Sequence, residues 1–276
     1  MAKSQHQPIR PFLKWAGNKF RILHHIQRTL PGGKRLVEPF VGSGAVFLNT
    51  DYEDYLLCDS NRDLVDLFKL LKRRGQAFVD SCRPYFEPRY NNADAYYRLR
   101  DRFNQTDDRE ERAVLFVYLN RHGYNGLCRY NLSGGFNVPF GRYQRPYFPE
   151  REMLAFRDKA KQARFKHQAF EQTFVHSDSG DVIYCDPPYL PLSSSANFTS
   201  YSAGGFSMAQ QQELARLARV TSERGIPVLI SNHHDKAFTT EYYDGARIET
   251  FDVQRFISRN GANRAKAGEV LALFGT

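Results

Sequence analysis

The stretch CDPPYLPL, residues 185–192, places a carboxylate, two rigid prolines and an aromatic ring side by side. The sequence DVIY before it predicts a buried strand, so Asp186 is expected where that strand ends, the position at which α/β folds bind ligands. A carboxylate only accepts hydrogen bonds, a proline carbonyl accepts without a competing N–H group, and a tyrosine ring stacks on flat heterocycles. The motif Asp186, Pro187, Pro188 and Tyr189 therefore suits a planar base that carries an exocyclic amino group.

The amino nitrogen of such a base is a poor nucleophile, because its lone pair is delocalised into the ring. Two acceptors placed on its hydrogens, the Asp186 carboxylate and the Pro187 carbonyl, would aim the lone pair at an electrophile and stabilise the positive charge that develops. Asp186 need not be a strong base, since the proton becomes acidic only after the nitrogen is alkylated. The structural alternative is that these residues form only a turn.

A second motif, EPFVGSG at residues 38–44, follows a predicted strand and supplies Gly42 and Gly44 for a tight turn close to a ligand. Phe47 replaces the third glycine of the dinucleotide fingerprint, and the chain has no P-loop sequence. Asp59 ends the next predicted strand, where an acid commonly holds ribose hydroxyls. The pattern favours a nucleoside cofactor without a pyrophosphate, and S-adenosylmethionine, with its ribose and sulfonium methyl, fits it.

The elements that would position these motifs form an α/β pattern. Residues 34–59 predict strand, glycine turn, helix and second strand. Further along, Ser207 and Gln210 predict a capping box for a helix that ends before Gly225. The sequences PVLISN, RIETFDV and EVLALF predict three more strands, of which the last two are expected to pair antiparallel at a sheet edge.

The 142 residues from Gly44 to Asp186 are more than two or three compact strand–helix units need. Residues 62–149 differ from their flanks, with three helix-like segments, a long irregular stretch, and 16 Lys and Arg against 10 Asp and Glu. We therefore predict a discontinuous catalytic domain, 1–61 with 150–276, and an inserted target-recognition domain, 62–149.

The composition of the 276 residues, 25% charged and 41% hydrophobic, is typical of a soluble globular protein. The chain has no apolar run long enough for a membrane span and no signal-peptide core at its start. The four cysteines are widely spaced, which favours reduced thiols in a cytoplasm over disulfides or a zinc ribbon. A net charge of +9 suits a polyanionic partner, nucleic acid first.

Residues 121–147 hold four arginines, six aromatic residues, five glycines and no acid. The glycines indicate a hairpin or irregular loop, and arginine with aromatic rings suits phosphate pairing, base contacts and stacking. We expect Phe136 and Phe140 to pack in a small core. Arg129 and Tyr124 are expected to serve a ligand, because an irregular loop has little core to offer.

Five motifs resemble, in the same order, those of the Dam-type DNA adenine-N6 methyltransferases: FLKWAGNK at 12–19, VEPFVGSG at 37–44, LNRHGYNGLCRYN at 119–131, FNVPFGRY at 136–143 and DPPY at 186–189. The resemblance covers nearly the whole chain. It implies a Rossmann-like methyltransferase mixed sheet with an inserted, mostly helical target-recognition domain that contains a hairpin or loop. It also implies S-adenosylmethionine as methyl donor and adenine in double-stranded GATC as target, in a cytoplasmic protein of a bacterium or phage that acts as a monomer.

The resemblance implies roles for individual residues as well. Cofactor contacts fall on Trp15, Lys19, Glu38, Phe40, Gly42, Gly44, Asp59 and Asp186, and Asp186 to Tyr189 would hold a flipped adenine. DNA contacts fall on Lys14 and Tyr143 at the first guanine, Arg129 at the third pair, Leu127 and Pro139 at the thymine methyl, Tyr124 and Asn125 at the vacated space, and Arg100, Asn131 and Arg142 at the backbone. No metal is implied; the sequence HHD at 233–235 is without a third ligand cluster.

The chain departs from the family pattern at three places. Asn18 stands where glycine is expected and Ser43 where alanine is common, and the loop at 260–269 is less basic than usual. Segment 190–206 suggests a flap over the base pocket. The rival hypotheses are methylation of cytosine N4 or of an RNA adenine, and a DNA-binding regulator without catalytic activity. The aspartate before the prolines favours adenine, and the intact motifs disfavour the regulator.

Overall fold

The computed structural model describes residues 7–189, 206–254 and 266–275. The suggested flap at 190–206 lies outside the described residues except for Phe206, as does the 260–269 loop except for its last four residues. The chain divides into two compact units. The first contains the described residues within Met1–Leu23, Val41–Asp51 and Asn61–Phe165, and the second those within His24–Phe40, Tyr52–Ser60 and Lys166–Thr276. The functional division into a catalytic domain (1–61 and 150–276) and a recognition domain (62–149) stays a prediction.

Seven strands form one mixed sheet, and they are β1 Arg35–Glu38, β2 Asp54–Asp59, β3 Ala163–His167, β4 Asp181–Cys185, β5 Val228–His233, β6 Arg247–Gln254 and β7 Lys266–Phe274. Their order in the sheet is β3-β2-β1-β4-β5-β7-β6. Neighbours are parallel from β2 to β5, whereas β7 is antiparallel to both β5 and β6. The sheet has a doubly wound, Rossmann-like order in which β7 is inserted between β5 and β6, and this agrees with the mixed sheet that the resemblance implied.

The described helices are α1 Leu23–Thr29, α2 Ala45–Leu48, α3 Arg62–Arg74, α4 Gln76–Cys82, α5 Ala93–Gln105, α6 Arg109–His122, α7 Glu150–Lys159, α8 Phe170–Val175, α9 Met208–Glu223 and α10 Lys236–Tyr242. The predicted capping box is present at α9, where the Ser207 hydroxyl accepts from the Gln210 amide and the Gln210 side chain accepts from the Ser207 amide. Among the described residues, no helix has the length and apolar character needed to cross a membrane.

The second unit has its core between the sheet and helices α8, α9 and α10. All five residues of β4 are buried, as a central parallel strand requires. Arg35 at the start of β1 makes two hydrogen bonds, 2.8 and 2.6 Å, to the carboxylate of Asp181 at the start of β4, which ties the two strands together at their amino ends. The strand order reverses between β1 and β4, and such a switch point places a ligand crevice at the carboxyl ends of the strands.

The first unit is mostly helical, as predicted for residues 62–149. Helix α6 is buried along most of its length, and α3 and α5 contribute further apolar faces. The irregular stretch forms a short hairpin, with antiparallel bridges between Gly123 and Phe140 and between Tyr130 and Phe136. Phe136 is 2% exposed and packs edge-on against the rings of Phe103 and Phe116, so its predicted core role is confirmed.

Candidate active site

Asp186 follows the last residue of β4 and is oriented by the neighbouring strand β5. The hydroxyl of Ser231 in β5 lies 3.3 Å from Asp186 Oδ1 and 2.9 Å from the Tyr184 hydroxyl. The two hydroxyls share this hydrogen bond, and burial, and then the charge of Asp186, raises the pKa of the Tyr184 phenol. The Ser231 hydroxyl also lies 3.4 Å from the Cys185 carbonyl, so it is placed between that carbonyl and one oxygen of the Asp186 carboxylate.

The two proline carbonyls of the motif have different surroundings. Gln211 of α9 donates from Nε2 to the carbonyl of Pro188 at 3.0 Å, and Asn232 donates in turn to Gln211 Oε1 at 3.1 Å. The carbonyl of Pro187 accepts no hydrogen bond from the part of the chain that the structure describes. Since buried carbonyls are normally satisfied, the Pro187 carbonyl differs from that of Pro188 in having an acceptor site that the described residues do not fill.

Tyr189 is held at both its ring and its hydroxyl. The hydroxyl donates to Glu269 Oε2 of β7 at 2.7 Å, and the ring lies 4.1 Å from the ring of His233 at the end of β5. Burial, followed by the charges of Asp186 and Glu269, raises the pKa of the Tyr189 phenol. The phenol therefore stays a donor, and its ring is held by two residues from two strands, Glu269 of β7 and His233 of β5.

Acidic groups gather at the carboxyl ends of the central strands. Glu38, the last residue of β1, is 2% exposed, and Asp59 is the last residue of β2. Burial, then the charges of Asp186 and Glu38, raises the pKa of the Cys185 thiol, which lies directly before Asp186. A site with this charge suits a cationic ligand or a developing positive charge.

Phe40, a predicted cofactor residue, stacks on the ring of Phe170 at 5.4 Å and meets the ring of Phe206 edge-on at 5.6 Å.

In the first unit, the glycine turn lies against the chain's only tryptophan. A Cβ atom added to Gly42 would lie 3.0 Å from Trp15 Nε1, and Gly42 and Gly44 both have positive φ, 49° and 74°. A side chain at Gly42 would therefore crowd the indole, and the positive φ at both positions favours glycine. Lys19 is 6% exposed and its ammonium donates to the Gly17 carbonyl at 2.9 Å. The two departures from the family pattern meet here, because Asn18 Nδ2 donates to Ser43 Oγ at 3.0 Å.

Lys14 and Tyr143, predicted to face the same base, are in contact. The Lys14 ammonium lies 3.7 Å from the centre of the Tyr143 ring, whose hydroxyl accepts from the Asn125 amide at 3.0 Å. The side chain of Asn120 holds the backbone of Lys14 on both sides, at 2.9 and 2.7 Å. Burial, and then the charge of Arg121, lowers the pKa of Lys14 to about 8.

The hairpin carries most of the other predicted DNA contacts. Asn131 closes its tip, where Oδ1 accepts from the Gly135 amide at 2.8 Å, and Arg129 is bound to Asn137 across the two arms. Tyr124 is 50% exposed and Asn125 has a left-handed backbone, φ 53°. The remaining predicted residues lie in or beside this segment. Leu127 is half-buried, whereas Pro139 and Arg142 are exposed. Arg100 donates from Nη1 to the Val138 carbonyl.

Sequence reasoning missed the residues that hold the motif residues in place, namely Ser231, His233, Gln211, Glu269 and Asn137. Of these, Ser231 and His233 had a usable signal, since they occupy the end of the strand predicted after Asp186. No group of three or more His, Cys, Asp or Glu side chains is placed to hold a metal within the described residues.

The sheet order, with DPPY at its switch point, is that of an α/β enzyme that binds its ligands at the carboxyl ends of its strands. The chain matches the family model of the D12 class N6 adenine-specific DNA methyltransferases over residues 15–257 and belongs to that family. It is 52% identical over 265 residues to the DNA adenine methylase of Escherichia coli strain K12, covering 96% of this chain and 95% of that protein. A similar match, 52% over 266 residues and 96% of both chains, is to the DNA adenine methylase of Vibrio cholerae strain El Tor Inaba N16961.

A third relative, the DNA adenine methylase of Serratia marcescens, is 51% identical over 266 residues, 96% of this chain and 98% of its own. These matches confirm the family that the five motifs indicated. The protein is therefore an adenine-specific DNA methyltransferase, and DNA is its substrate.

Proposed function

We propose that this enzyme transfers a methyl group from S-adenosylmethionine to N6 of adenine in double-stranded GATC. The amino nitrogen would attack directly, after the adenine has flipped out of the helix. The observation that carries the proposal is the pair of acceptors at the end of β4, one the Asp186 carboxylate beside the Ser231 hydroxyl and the other the Pro187 carbonyl.

The two acceptors would act on the two hydrogens of the adenine amino group. Asp186 and Pro187 draw the nitrogen towards tetrahedral geometry and orient its lone pair. As the nitrogen becomes cationic, the carboxylate stabilises the charge and afterwards takes the proton, whose acidity has risen. Tyr189 stacks on the flat face of the base, and the hydrogen bond from Gln211 keeps the Pro188 carbonyl out of competition.

The methyl donor would be held by residues from both motifs. When bound, S-adenosylmethionine supplies an electrophilic methyl group on a positively charged sulfur. The buried carboxylate of Glu38 and the charge of Asp186 suit that cation, and Asp59 suits the ribose hydroxyls. To the same ligand we assign Trp15, Lys19, Phe40, Gly42 and Gly44.

Recognition of GATC would follow the roles that the motifs imply. Lys14 and Tyr143 face the first guanine, Arg129 reads the third pair, and Leu127 and Pro139 meet the thymine methyl. Flipping a base costs a few kcal/mol of lost stacking and pairing, part of which an exposed ring can restore, and Tyr124 with Asn125 would fill the space. Backbone contacts would come from Arg100, Asn131 and Arg142.

We further propose that the enzyme acts as a monomer on DNA in a bacterial or phage-infected cytoplasm. The relatives are bacterial DNA adenine methylases, and a methylated adenine in GATC suits DNA replication, mismatch repair or a restriction–modification system.

The test is transfer of a labelled methyl group to duplexes that contain GATC or a scrambled sequence, followed by identification of the labelled base. We expect N6-methyladenine on the GATC duplex only. Asp186→Ala should lower kcat by about 10²-fold or more while binding to DNA is retained. Asp244→Ala, which removes an exposed carboxylate in the same unit, is the matched control.

The labelled product decides between this proposal and its rivals. N4-methylcytosine, or transfer to an RNA adenine in preference to DNA, would reject the substrate that we propose. Transfer to duplex adenines in any sequence would reject GATC as the target but would leave adenine N6 as the methyl acceptor. Substantial kcat in Asp186→Ala would remove Asp186 from the mechanism.

A further inference from the structure

The guanidinium of Arg129 is held along one edge by a single residue across the hairpin. Arg129 Nε donates to Asn137 Oδ1 at 2.8 Å, and Nη2 donates to the Asn137 backbone carbonyl at 3.2 Å. The Asn137 amide in turn donates to the Arg129 carbonyl at 3.0 Å. The two bonds from the guanidinium restrict rotation of the planar side chain, and the backbone bond keeps the two hairpin arms paired at this position.

The edge that Asn137 occupies is the side edge of the guanidinium, formed by Nε and Nη2. The opposite donors, on Nη1 and the outer hydrogen of Nη2, make no hydrogen bond to the described residues. These donors form the end of the fork, a geometry that matches acceptors on base edges in the major groove. Arg129 therefore has one edge bound to the protein and another that remains for a ligand.

Arg129 is also unusual in the kind of acceptor that holds it. Arg112 is bound by the Asp63 carboxylate and Arg83 by that of Glu150, whereas Arg129 pairs with no carboxylate within the described residues. An amide and a carbonyl orient the guanidinium and leave its positive charge uncompensated. A carboxylate in their place would orient it equally well and weaken its attraction to DNA.

We infer that Asn137 is a positioning residue for sequence recognition, which fixes Arg129 so that its outer edge meets the bases. The inference rests on the proposed reading of one base pair by Arg129. An arginine on a mobile loop loses side-chain entropy when it binds, and holding it beforehand reduces that cost. Asn137 thereby increases discrimination at one position of the target, without contacting a base.

The hairpin itself is held by other residues, which separates orientation of Arg129 from folding of the loop. The side chain of Asn104 accepts from the Phe136 amide at 2.8 Å and donates to the Phe136 carbonyl at 3.1 Å. The Tyr130 hydroxyl donates to Asp63 at 2.7 Å. Removing the Asn137 side chain should therefore break the bond at Nε, leave the guanidinium held only through Nη2 and hence less well oriented, and leave the hairpin folded.

The experiment measures kcat/KM for methyl transfer on the GATC duplex and on duplexes with one base pair changed at each position. Asn137→Ala should reduce discrimination about tenfold at the position that Arg129→Ala affects, and little elsewhere. In the Arg129→Ala background, the added change Asn137→Ala should alter discrimination less than about twofold, because the residue it positions is gone. Asn137→Asp keeps an acceptor and should retain the discrimination ratio while raising KM on every duplex, since its charge repels phosphates.

Asn104→Ala is the control for a structural effect, expected to lower Tm and reduce kcat/KM evenly across the duplexes. An even loss in Asn137→Ala, or an additive loss in the Arg129→Ala background, would overturn the inference and make Asn137 a direct DNA contact or a scaffold residue. If Arg129→Ala itself leaves discrimination intact while GATC is methylated, the role of Arg129 fails and the inference with it. If the wild type does not methylate GATC selectively, the proposed target sequence is wrong. This result is distinguishable from failure of the positioning role of Asn137, which the variants test.

Discussion

The hydroxyl of Tyr189 donates to the carboxylate of Glu269 at 2.7 Å, which links the DPPY motif to the inserted antiparallel strand β7. Glu269 lies two strands from β4 in the sheet order, so strand β7 contributes directly to the orientation of a motif residue. The His233 ring packs on Tyr189 from the strand between them. The ring that we propose to stack on adenine is therefore fixed at its far end as well as along its face.

Tyr189→Phe keeps the ring and removes the hydrogen bond to Glu269. We expect a loss of about 1–3 kcal/mol in the free energy of unfolding, because a bond to a charged acceptor is lost and the carboxylate is left in a partly buried place. Activity should fall only mildly in this variant, and severely in Tyr189→Leu, which also removes the stacking face. Chemical denaturation and kcat on the GATC duplex measure the two effects, and equal activities of the two variants would exclude stacking as the role of Tyr189.

The pair Asn18 and Ser43 offers a second test, because both residues depart from the family pattern and they bond to each other. We expect the single changes Asn18→Gly and Ser43→Ala each to weaken binding of S-adenosylmethionine, and the double change to cost less than the sum. The coupling free energy should be about 0.5–1.5 kcal/mol, as for one hydrogen bond. Titration calorimetry on the four proteins of the cycle measures it, and strict additivity would mean that the bond contributes nothing to the glycine turn.

The sequence was sufficient to predict elements whose signals are local. The capping box of α9 depends on residues three apart, and the end of β4 is marked by the prolines after Asp186. Strand β3 was missed because it is short and only alternate residues of it are buried, so its apolar signal is weak. The antiparallel pairing of β6 with β7 was predicted from their short separation, whereas insertion of β7 beside β5 was not.

The candidate site shows the same limit more sharply. The DPPY motif can be recognised from its own four residues. By contrast, Ser231 is 45 residues from Asp186 in the sequence, and Glu269 is 80 residues from Tyr189. Such contacts depend on strand register, which a single sequence does not specify. The bond between Arg129 and Asn137 spans only eight residues, yet it forms across a hairpin whose tip contains Gly134, with φ 80°, and is closed by the bond from the Gly135 amide to Asn131 Oδ1.

The pKa of Lys14, lowered to about 8 by burial and then by Arg121, predicts a pH dependence of recognition. Lys14 is protonated below that value, so its proposed contribution to discrimination at the first guanine should be present near pH 7 and lost as the pH rises past about 8. Lys14→Arg stays charged and should lack this transition. Discrimination ratios measured from pH 6.5 to 9 on duplexes changed at the first position provide the test, and a flat wild-type profile would contradict it.

The lowered pKa of Lys14 also affects the stability of the protein, which we expect to increase with pH whereas discrimination decreases. When the pKa of a lysine is lower in the folded state than in the unfolded state, burial disfavours its charged form. The charged ammonium therefore reduces the free energy of unfolding at neutral pH. The free energy of unfolding, measured relative to Lys14→Met, should therefore rise between about pH 8 and 10.5. A fall over that interval would mean that the ammonium is stabilised in place, for instance by the Tyr143 ring.

His122 predicts a loss of stability in acid. The imidazole is 0% exposed and Nδ1 donates to the Tyr118 carbonyl at 3.0 Å, while Nε2 has no hydrogen-bond partner among the described residues. Burial lowers the pKa of His122 to about 4, with the nearby charges of Lys14 and Arg121 acting in the same direction. The folded protein thus holds a neutral ring where the unfolded chain would protonate it near pH 6.5.

Because the folded-state pKa is the lower one, the stabilisation is complete above about pH 6.5 and disappears as the pH falls towards 4. The full effect is about 3 kcal/mol. Urea unfolding of the wild type and of His122→Gln from pH 7.5 to 4.5 should show the difference between them shrinking with acid, since glutamine does not titrate. If the free energies of unfolding of the two proteins change in parallel with pH, His122 is already protonated in the folded state or water reaches Nε2. The hypothesis of a neutral, buried imidazole would then be wrong.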